Sequence, residues 1–523
     1  MRLRHSTFAS ILAMFLSILF ISMGMAGDVS RLEKALEAAG ENRAELETVL
    51  GHYSGEGLEN EYAAAVFLIE NMEGHSYVTY NYHDSSGQEI PFDVLAYPDF
   101  DSLLAAVRVI ENKRGEFDYR RNRTAEDLTS ICADFLIEQI DYAFRAWREK
   151  PWAQFLTFEE FCEFVLPYRG SNEPLESWRG FFFEKFTDIP GQMSDSTDPI
   201  EAASLINNDV MSWFLFDPRY YFHPTDQGFA EMMRNKMGRC EDMTNITIYA
   251  MRANGLAVTS DFTPFWANSG NNHAWNAILT PGGKVIPFMG AEQNPGSYRL
   301  ANKLAKVYRK TFAVQPGNLI FQERKQDKIP SWLGGKNYVD VTADYTDVAD
   351  VAVKFEPVIP DSVDIAYLCV FNSGEWRAIH WARIDNAVAI FGDMGVGIAY
   401  LPALYLDEEM VPFGPPFILS ETGDVNPLLR RPGDGITVEL VSTTSRKQKV
   451  STDGIVESSL TPGETYELMY WSDGWQSFAK SKATGEPLKF DNVPSGVLYW
   501  LVAENSDKEE RVFTIKDGRQ VWW

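Results

Sequence analysis

Cysteine is scarce in this chain, and the few cysteines are not spaced as metal ligands. The 523 residues contain four of them, Cys132, Cys162, Cys240 and Cys369. Neither a Cys-x-x-Cys motif nor a His-Glu-x-x-His motif occurs. Because structural and catalytic metal sites need such spacings, the sequence predicts no metal site and we expect no cofactor.

Basic residues are also in deficit. The chain has 47 lysines and arginines against 74 aspartates and glutamates, which gives a formal net charge of -27 at pH 7. An acidic surface repels nucleic acid phosphates and anionic lipids, so we expect neither as a partner. The same charge favours solubility and would attract cationic substrates.

Long apolar runs are missing after the first 26 residues, so we expect no later segment to cross a membrane. The start, Met1-Arg2-Leu-Arg4, leads into an apolar run from Phe8 to Ile21 that ends in Gly24-Met25-Ala26. This pattern is typical of a secretory signal peptide, and the run is shorter than the roughly 20 residues that span a bilayer. We expect cleavage after residue 26, no stable membrane insertion, and export to the periplasm, the cell surface or the exterior; a membrane anchor is the alternative.

Length and composition predict several folded domains. Hydrophobic residues make up 45% of the chain and aromatic residues 13%, which is the composition of a globular protein and excludes a largely disordered one. At about 100 to 200 residues per domain, three or four domains are expected.

Two short motifs carry the chemistry. The first is Gly238-Arg-Cys240-Glu-Asp-Met, followed by a helix-like run to Asn254, a glycine stop and a strand-like run. The second is Asn272-His273-Ala-Trp275-Asn. This order predicts a cysteine at a helix N-terminus and a histidine on a later strand. A helix N-terminus and an imidazolium can lower a thiol pKa from about 8.5 to roughly 3.5–7.5, whereas carboxylates beside the sulfur would raise it.

These motifs, with Tyr249-Ala-Met-Arg252-Ala-Asn-Gly255 between them, resemble the transglutaminase-like superfamily, a papain-related fold, in secreted bacterial proteins. The resemblance implies that Cys240 is the nucleophile and His273 its base. It implies a peptide or protein substrate, with a glycan as an alternative partner.

The third catalytic member departs from the family pattern. The resemblance implies an Asp on the strand after the histidine strand, where Pro287 or Phe288 stands. Glu292 and Asp261 are the two substitutes that the sequence offers. Asn276 lies three residues after the histidine, and strand alternation turns it to the opposite face.

Further residues are candidates for the oxyanion hole or the cleft wall. Papain-like sites use an upstream donor, for which the candidates are Gln227, Trp213 and Tyr220. Trp266 and Trp275 would form an aromatic wall that excludes water. Ordinary packing is the alternative for all five.

The region before this core has apolar residues at helical spacing and is predicted to be helical. It contains the segment from Leu166 to Arg179, in which Arg169, Glu173 and Arg179 could line a groove or form a buried ion-pair network; we favour the network. Cys132 and Cys162 could form a disulfide, although helical apolar patterns favour two core thiols.

The region after the core has short strand-like runs and an internal repeat. Five residues of the first copy recur 99 positions later in the second, Tyr367, Trp376, Phe391, Gly397 and Tyr400 matching Tyr466, Trp475, Phe490, Gly496 and Tyr499. The pattern predicts two β-sandwich copies whose aromatics fill cores. Sugar binding by Trp471, Trp475 or Trp500 is the alternative.

We therefore predict an α+β multidomain protein with these segments: signal peptide 1–26, helical region 27–205, transglutaminase-like core 206–325, and β-sandwich repeats 326–425 and 426–523. If active, it is a cysteine peptidase, amidase or acyltransferase that cleaves or transfers an amide acyl group. The alternative function is a catalytically degenerate scaffold whose β modules bind glycan or protein.

Overall fold

The computed structural model describes residues 25–115, 118–322, 329–355, 363–431, 433, 435–450, 456–506 and 508–523. The predicted signal peptide lies outside these residues except for its last two positions. Helices and antiparallel sheets occur together in the described chain, which confirms the α+β class. In the described parts, no helix is long and apolar enough to span a bilayer.

The chain divides into two compact units. The first contains the described residues up to Ser260, with Trp275–Tyr298 and Thr311–Val314. Its helices are α1 (Met25–Ala38), α2 (Arg43–His52), α3 (Glu59–Glu70), α4 (Phe100–Arg114), α5 (Ala133–Glu149), α6 (Phe158–Phe164), α7 (Arg179–Lys185), α8 (Pro199–Met211), α9 (Phe229–Asn235) and α10 (Cys240–Arg252). In α5 the buried residues Leu136, Ile140 and Phe144 recur every four positions, so one apolar face drives its packing.

A three-stranded antiparallel sheet interrupts the region that we predicted to be helical. Its strands are β1 (Ser76–His83), β2 (Glu89–Ile90) and β3 (Asp118–Glu126), in the order β2-β1-β3. Nearly all of β3 is exposed. Because an exposed strand shows no apolar alternation, the sequence pattern gave no signal for this sheet.

The first unit also holds two short strand pairs. Strands β4 (Leu215–Phe216) and β5 (Met237–Gly238) are parallel. Strands β6 (Val258–Thr263), β7 (His273–Leu279) and β8 (Val285–Phe288) follow; β7 and β8 are antiparallel, with Asn276 opposite Phe288. The division between the units passes through β6 and β7, so His273 belongs to the second unit.

Buried ion pairs and hydrogen bonds hold the helices of the first unit together. The Arg169 guanidinium contacts the Asp127 carboxylate at 2.5 Å, and both side chains are buried. The guanidinium of Arg179 is also buried and donates to the backbone carbonyls of residues 165, 166, 167 and 252. The carboxylate of Glu173 accepts from the backbone N–H of Gly170. The predicted structural network is confirmed.

The second unit contains Asp261–Ala274, Arg299–Lys310 and Gln315–Trp523. Its helix is α11 (Leu319–Gln322), and its first strands are β9 (Tyr308–Lys310) and β10 (Tyr338–Asp340). Strand β9 pairs with β10 on one side and with the end of β6 on the other, where Arg309 lies opposite Asp261.

Two sets of antiparallel strands make up the rest of the second unit. The first set is β11 (Val348–Lys354), β12 (Ile365–Asn372), β13 (Glu375–Asp385), β14 (Val388–Gly395), β15 (Ile398–Leu406), β16 (Glu409–Pro412), β17 (Phe417–Leu419) and β18 (Val425–Pro427). The second is β19 (Gly435–Leu440), β20 (Lys449–Val450), β21 (Val456–Glu457), β22 (Thr465–Trp471), β23 (Trp475–Lys482), β24 (Leu488–Pro494), β25 (Tyr499–Ala503), β26 (Val512–Lys516) and β27 (Arg519–Trp522).

The two sets repeat one topology. Strands β13-β12-β15-β17-β18 are neighbours in the first set, and β23-β22-β25-β26-β27 are neighbours in the second. The hydroxyl of Tyr400 donates to the carbonyl of Gly395, and the hydroxyl of Tyr499 donates to the carbonyl of Pro494, five residues back in both cases. The internal repeat is therefore confirmed, while the exact segment boundaries stay predictions.

All four cysteines are free thiols. Cys162 is buried, as predicted for a core residue, and Cys369 is buried as well. The prediction was wrong for Cys132, which is exposed because it lies at the N-cap of α5, before the apolar face of that helix begins.

Candidate active site

Cys240 is the first residue of α10, and the helix start is fixed by a carboxylate. The backbone N–H of Arg239 donates to Asp242 Oδ2 at 2.9 Å, and the backbone N–H of Gln227 donates to Asp242 Oδ1 at 3.2 Å. A side chain in the first turn that accepts backbone N–H groups stabilises a helix N-terminus. Asp242 therefore sets the position of Cys240 through the backbone.

The residue two positions before the cysteine has to be glycine. A Cβ at Gly238 would lie 2.5 Å from Asp242 Cβ and 2.8 Å from Gln227 Nε2, both closer than real Cβ contacts allow. The glycine of the Gly-x-Cys motif thus leaves room for the carboxylate that starts the helix.

Helix α10 is buried along its length. Every residue from Asp242 to Arg252 is buried. The Arg252 guanidinium donates to the carbonyl oxygens of Phe164 and Val258, each at 3.0 Å. Because both ends of the helix are held, its first residue has a defined position.

The environment of the thiol raises its pKa. Burial is the largest cause, and the negative charge of Glu241 adds to it; the charge of Arg239 and backbone N–H groups act in the opposite direction. Of the two opposing influences that the sequence indicates at Cys240, the helix N-terminus and the neighbouring carboxylates, burial adds to the second. The thiol is neutral at pH 7.

Two tyrosines that the sequence reasoning missed flank the cysteine. Partial burial raises the pKa of Tyr221 to about 12, and its electrostatic interaction with Cys240 contributes to the shift. Burial also raises the pKa of Tyr298, with the charges of Glu292 and Cys240 adding to it. Tyr221 directly follows Tyr220, which is a candidate from the sequence, whereas no spacing pattern marks Tyr298.

The three predicted oxyanion donors have structural partners. Gln227 is buried and its Nε2 donates to the carbonyl of Met237 at 3.0 Å. The indole N–H of Trp213 donates to Asp209 at 2.9 Å, and Tyr220 is buried with its ring stacked on His223. These contacts favour positioning roles, although the assignment of an oxyanion donor stays a prediction.

His273 is half-buried at the start of β7 in the second unit. Its ring stacks on Trp266, with 5.7 Å between the ring centroids. Burial lowers its pKa, so the imidazole is neutral at pH 7 and can accept a proton. Trp266 thus adjoins the predicted base, whereas Trp275 is completely buried in the first unit.

The loop between β6 and β7, which carries Trp266, is fixed by the β repeats of its own unit. The amide Nδ2 of Asn372 donates to the carbonyls of Trp266, Ser269 and Asn271 at 3.0, 2.9 and 2.9 Å. The guanidinium of Arg511, also buried, donates to the carbonyls of residues 267, 269 and 371. Donors from both repeats therefore define the path of the chain into His273.

The candidates for the third catalytic member lie in different surroundings. Both oxygens of Asp261 are engaged, since Arg309 donates at 2.9 and 2.7 Å and the Tyr345 hydroxyl at 2.6 Å. Glu292 is exposed. Phe288, at the position where the family pattern has an Asp, is completely buried.

Asn276 has the structural role that strand alternation predicts. Its amide donates to the carbonyl of Thr244 on α10 at 3.2 Å and accepts from the backbone N–H of Gly290 at 3.0 Å. It ties β7 to the helix of the cysteine.

No group of three or more potential metal ligands was found within the described ranges.

Residues 188–288 match the family model described as the transglutaminase-like superfamily. This segment is a transglutaminase-like domain. It includes both Cys240 and His273.

A solved structure that is similar to the chain is a crystal structure of red sea bream transglutaminase. The sequences are 9% identical, and the match covers 89% of this chain and 78% of the other, with a TM-score of 0.22. At that score the likeness carries no argument about this chain. No curated protein matches the chain.

We expect Asn372→Asp to loosen the loop before His273, because a carboxylate would face three carbonyl oxygens that now receive hydrogen bonds. Losing these bonds in a buried site costs on the order of 2–4 kcal/mol. Hydrogen exchange measured by mass spectrometry should become faster in the peptide spanning residues 264–274. Asn426→Asp, which changes an exposed asparagine of β18, should leave the hydrogen-exchange rate of this peptide unchanged. Equal exchange rates in both variants would contradict the role of Asn372 in holding the loop.

We expect Glu241→Gln to lower the pKa of the Cys240 thiol, because it removes the charge that disfavours the thiolate. Thiolate is the reactive form, so alkylation of Cys240 at pH 7.5 should become faster and its pH midpoint should fall. Peptide mass spectrometry after iodoacetamide treatment across a pH series measures both. Glu89→Gln is the matched exposed control, and a midpoint that stays or rises in Glu241→Gln would refute the assignment.

Proposed function

We propose that the protein is a cysteine enzyme that cleaves or transfers an amide or peptide acyl group. Cys240 Sγ attacks the carbonyl carbon while His273 accepts the thiol proton and passes it to the leaving amine. Loss of the amine leaves a thioester on Cys240. Water or an acceptor amine then attacks the thioester and regenerates the thiol; hydrolysis is the primary assignment.

The observation that carries this proposal is the place of Cys240 as the first residue of a buried helix inside the transglutaminase-like segment. Backbone N–H groups in the first turn of a helix can stabilise an oxyanion that forms on a carbonyl at the sulfur. Because the thiol pKa is raised and the imidazole pKa is lowered, the resting pair is neutral. Proton transfer then accompanies attack instead of preceding it.

The substrate and the location belong to the same proposal. A transglutaminase-like domain suggests a peptide or protein as the substrate. The leader pattern at residues 1–26 supports export, so the substrate would be found outside the cytoplasm.

We expect the full-length enzyme to release ammonia or amine from glutamine-containing peptides, and Cys240→Ala to abolish this activity. His273→Ala should lower kcat/KM by about 10²–10⁴, the range for general acid–base catalysis. Ammonia release and hydroxamate formation with hydroxylamine separate hydrolysis from acyl transfer. His52→Ala, an exposed histidine of the first unit, is the control. Activity that survives in Cys240→Ala would exclude the mechanism.

A second candidate function is glycan binding by the β repeats. A cavity of about 340 Å³ in the second unit is lined by Trp376, Trp471 and Trp475, and by Glu375. The indole N–H groups of Trp376 and Trp475 are buried and have no hydrogen-bond partner among the described residues. The aromatic faces suit the C–H face of a sugar ring, whereas the buried indole N–H groups lie out of its reach.

If the repeats bind sugar, Trp475→Ala should weaken binding of a chitotriose or cellotriose probe about five-fold or more, on the scale of one lost aromatic contact. Isothermal titration calorimetry on the full chain measures this. Trp381→Ala, in the first repeat but outside the cavity, should bind as the wild type does. No binding by wild type, or equal loss in both variants, would remove this candidate.

A further inference from the structure

A pocket in the first unit opens beside the segment that leads into Cys240, and four of its eleven lining residues are tyrosines. Its volume is about 250 Å³. Its lining comes from β1, β3 and the segment before α9, and includes Val78, Tyr80, Tyr82, Tyr119, Tyr221 and Arg239. The sheet that the sequence pattern did not reveal thus forms one wall.

The tyrosine wall is held in place by packing and one hydrogen bond. Tyr119 packs edge-on against Tyr80 and Tyr82, with 5.3 and 6.1 Å between ring centroids. The hydroxyl of Tyr82 donates to the carbonyl of Phe222 at 2.8 Å. That bond joins the sheet to the turn that carries Tyr221.

Two rings of the pocket face solvent. Tyr119 is 53% exposed and Tyr221 is 56% exposed, whereas Tyr82 is buried. Exposed aromatic rings on one concave surface are typical of a binding site.

The pocket adjoins Cys240 through the residue that precedes it in the chain. Arg239 lines the pocket and directly precedes Cys240. Tyr221 lines it as well, and an electrostatic interaction with Cys240 contributes to the raised pKa of Tyr221. A group bound in the pocket would therefore be held next to the carbonyl that Cys240 attacks.

The charged groups of the pocket are already paired. Arg239 forms an ion pair with Asp226. His223 Nδ1 is bonded to the carbonyl of Thr225 at 2.7 Å, and its Nε2 lies 3.3 Å from Glu231. With these charges paired, the tyrosine rings and hydroxyls and Asn172 are the groups left to contact a bound side chain.

We propose that this pocket is a specificity subsite that binds an aromatic side chain of a peptide substrate, next to the amide that Cys240 attacks. The inference rests on the proposed function. A volume of about 250 Å³ is below the roughly 300–1,000 Å³ of pockets that bury drug-sized ligands, and it suits one ring. Tyrosine walls bind rings by edge and face contacts at low entropic cost.

The test measures binding apart from turnover. In a Cys240→Ala background of the full chain, calorimetry compares acetyl-Gly-Phe-Gln-Phe-Gly-amide with the same peptide carrying Ala in place of Phe. We expect the Phe peptide to bind about five-fold tighter, on the scale of an aromatic pair. Tyr119→Ala should remove this preference, and so should Tyr80→Ala, which carries the test if the first variant does not fold.

Tyr77→Ala is the matched control, because Tyr77 is a tyrosine of β1 that lies outside this pocket and lines a different one. It should keep the preference for Phe. Equal affinity for the two peptides, or a preference that persists in both Tyr119→Ala and Tyr80→Ala, would overturn the subsite. So would binding of chitotriose that depends on Tyr119 when neither peptide binds.

Turnover of both peptides by the wild-type enzyme separates the two proposals. A Phe preference in binding without any turnover would refute the proposed function and support the subsite. Turnover of both peptides with equal kcat/KM and equal affinity would refute the subsite alone.

Discussion

The buried backbone carbonyls of the loop that leads into His273 need hydrogen-bond donors, and two side chains from the β repeats provide them. Asn372 contributes its amide and Arg511 its guanidinium. A buried carbonyl without a donor costs free energy, so the loop keeps this path only while both donors are present. The repeats therefore belong to the structure of the candidate site, whether or not they also bind a ligand.

Burial has a stronger effect than charge on the pKa values of the two candidate catalytic groups, Cys240 and His273. It raises the pKa of the Cys240 thiol and lowers that of the His273 imidazole. Both shifts favour the uncharged forms, so the two residues rest as a neutral thiol and a neutral base. A mechanism built on this pair needs groups that stabilise charge only as it develops, and the first turn of α10 offers its backbone N–H groups for that purpose.

Aromatic residues serve different ends in the two units. In the second unit they fill the space between the repeats, where Phe371 packs against Trp376, Trp475 and Trp500. In the first unit, Tyr119 and Tyr221 remain exposed beside the cysteine. Exposure of apolar ring surface to water is unfavourable. The exposed rings of Tyr119 and Tyr221 therefore indicate a binding surface.

Much of the fold could be predicted from local patterns. The helix at Cys240, the strand at His273 and the 99-residue repeat follow from motif order and spacing, and the structure has each of them. The sheet of β1 and β3 could not be predicted, because β3 is almost entirely exposed and the half-buried residues of β1 show no apolar period. Tyr298 lies 58 residues after Cys240 and carries no motif, so only folding relates it to the thiol.

By itself the sequence determined which residues are candidates for the reactive pair, since these depend on residue type and motif order. Tertiary structure alone decided the protonation of those residues, because pKa depends on burial and on charges brought near by folding. It also decided that Asp261 pairs with Arg309 and that Asn372 and Arg511 fix the loop before His273. These contacts join residues 48 to 244 positions apart, and no local pattern encodes such distances.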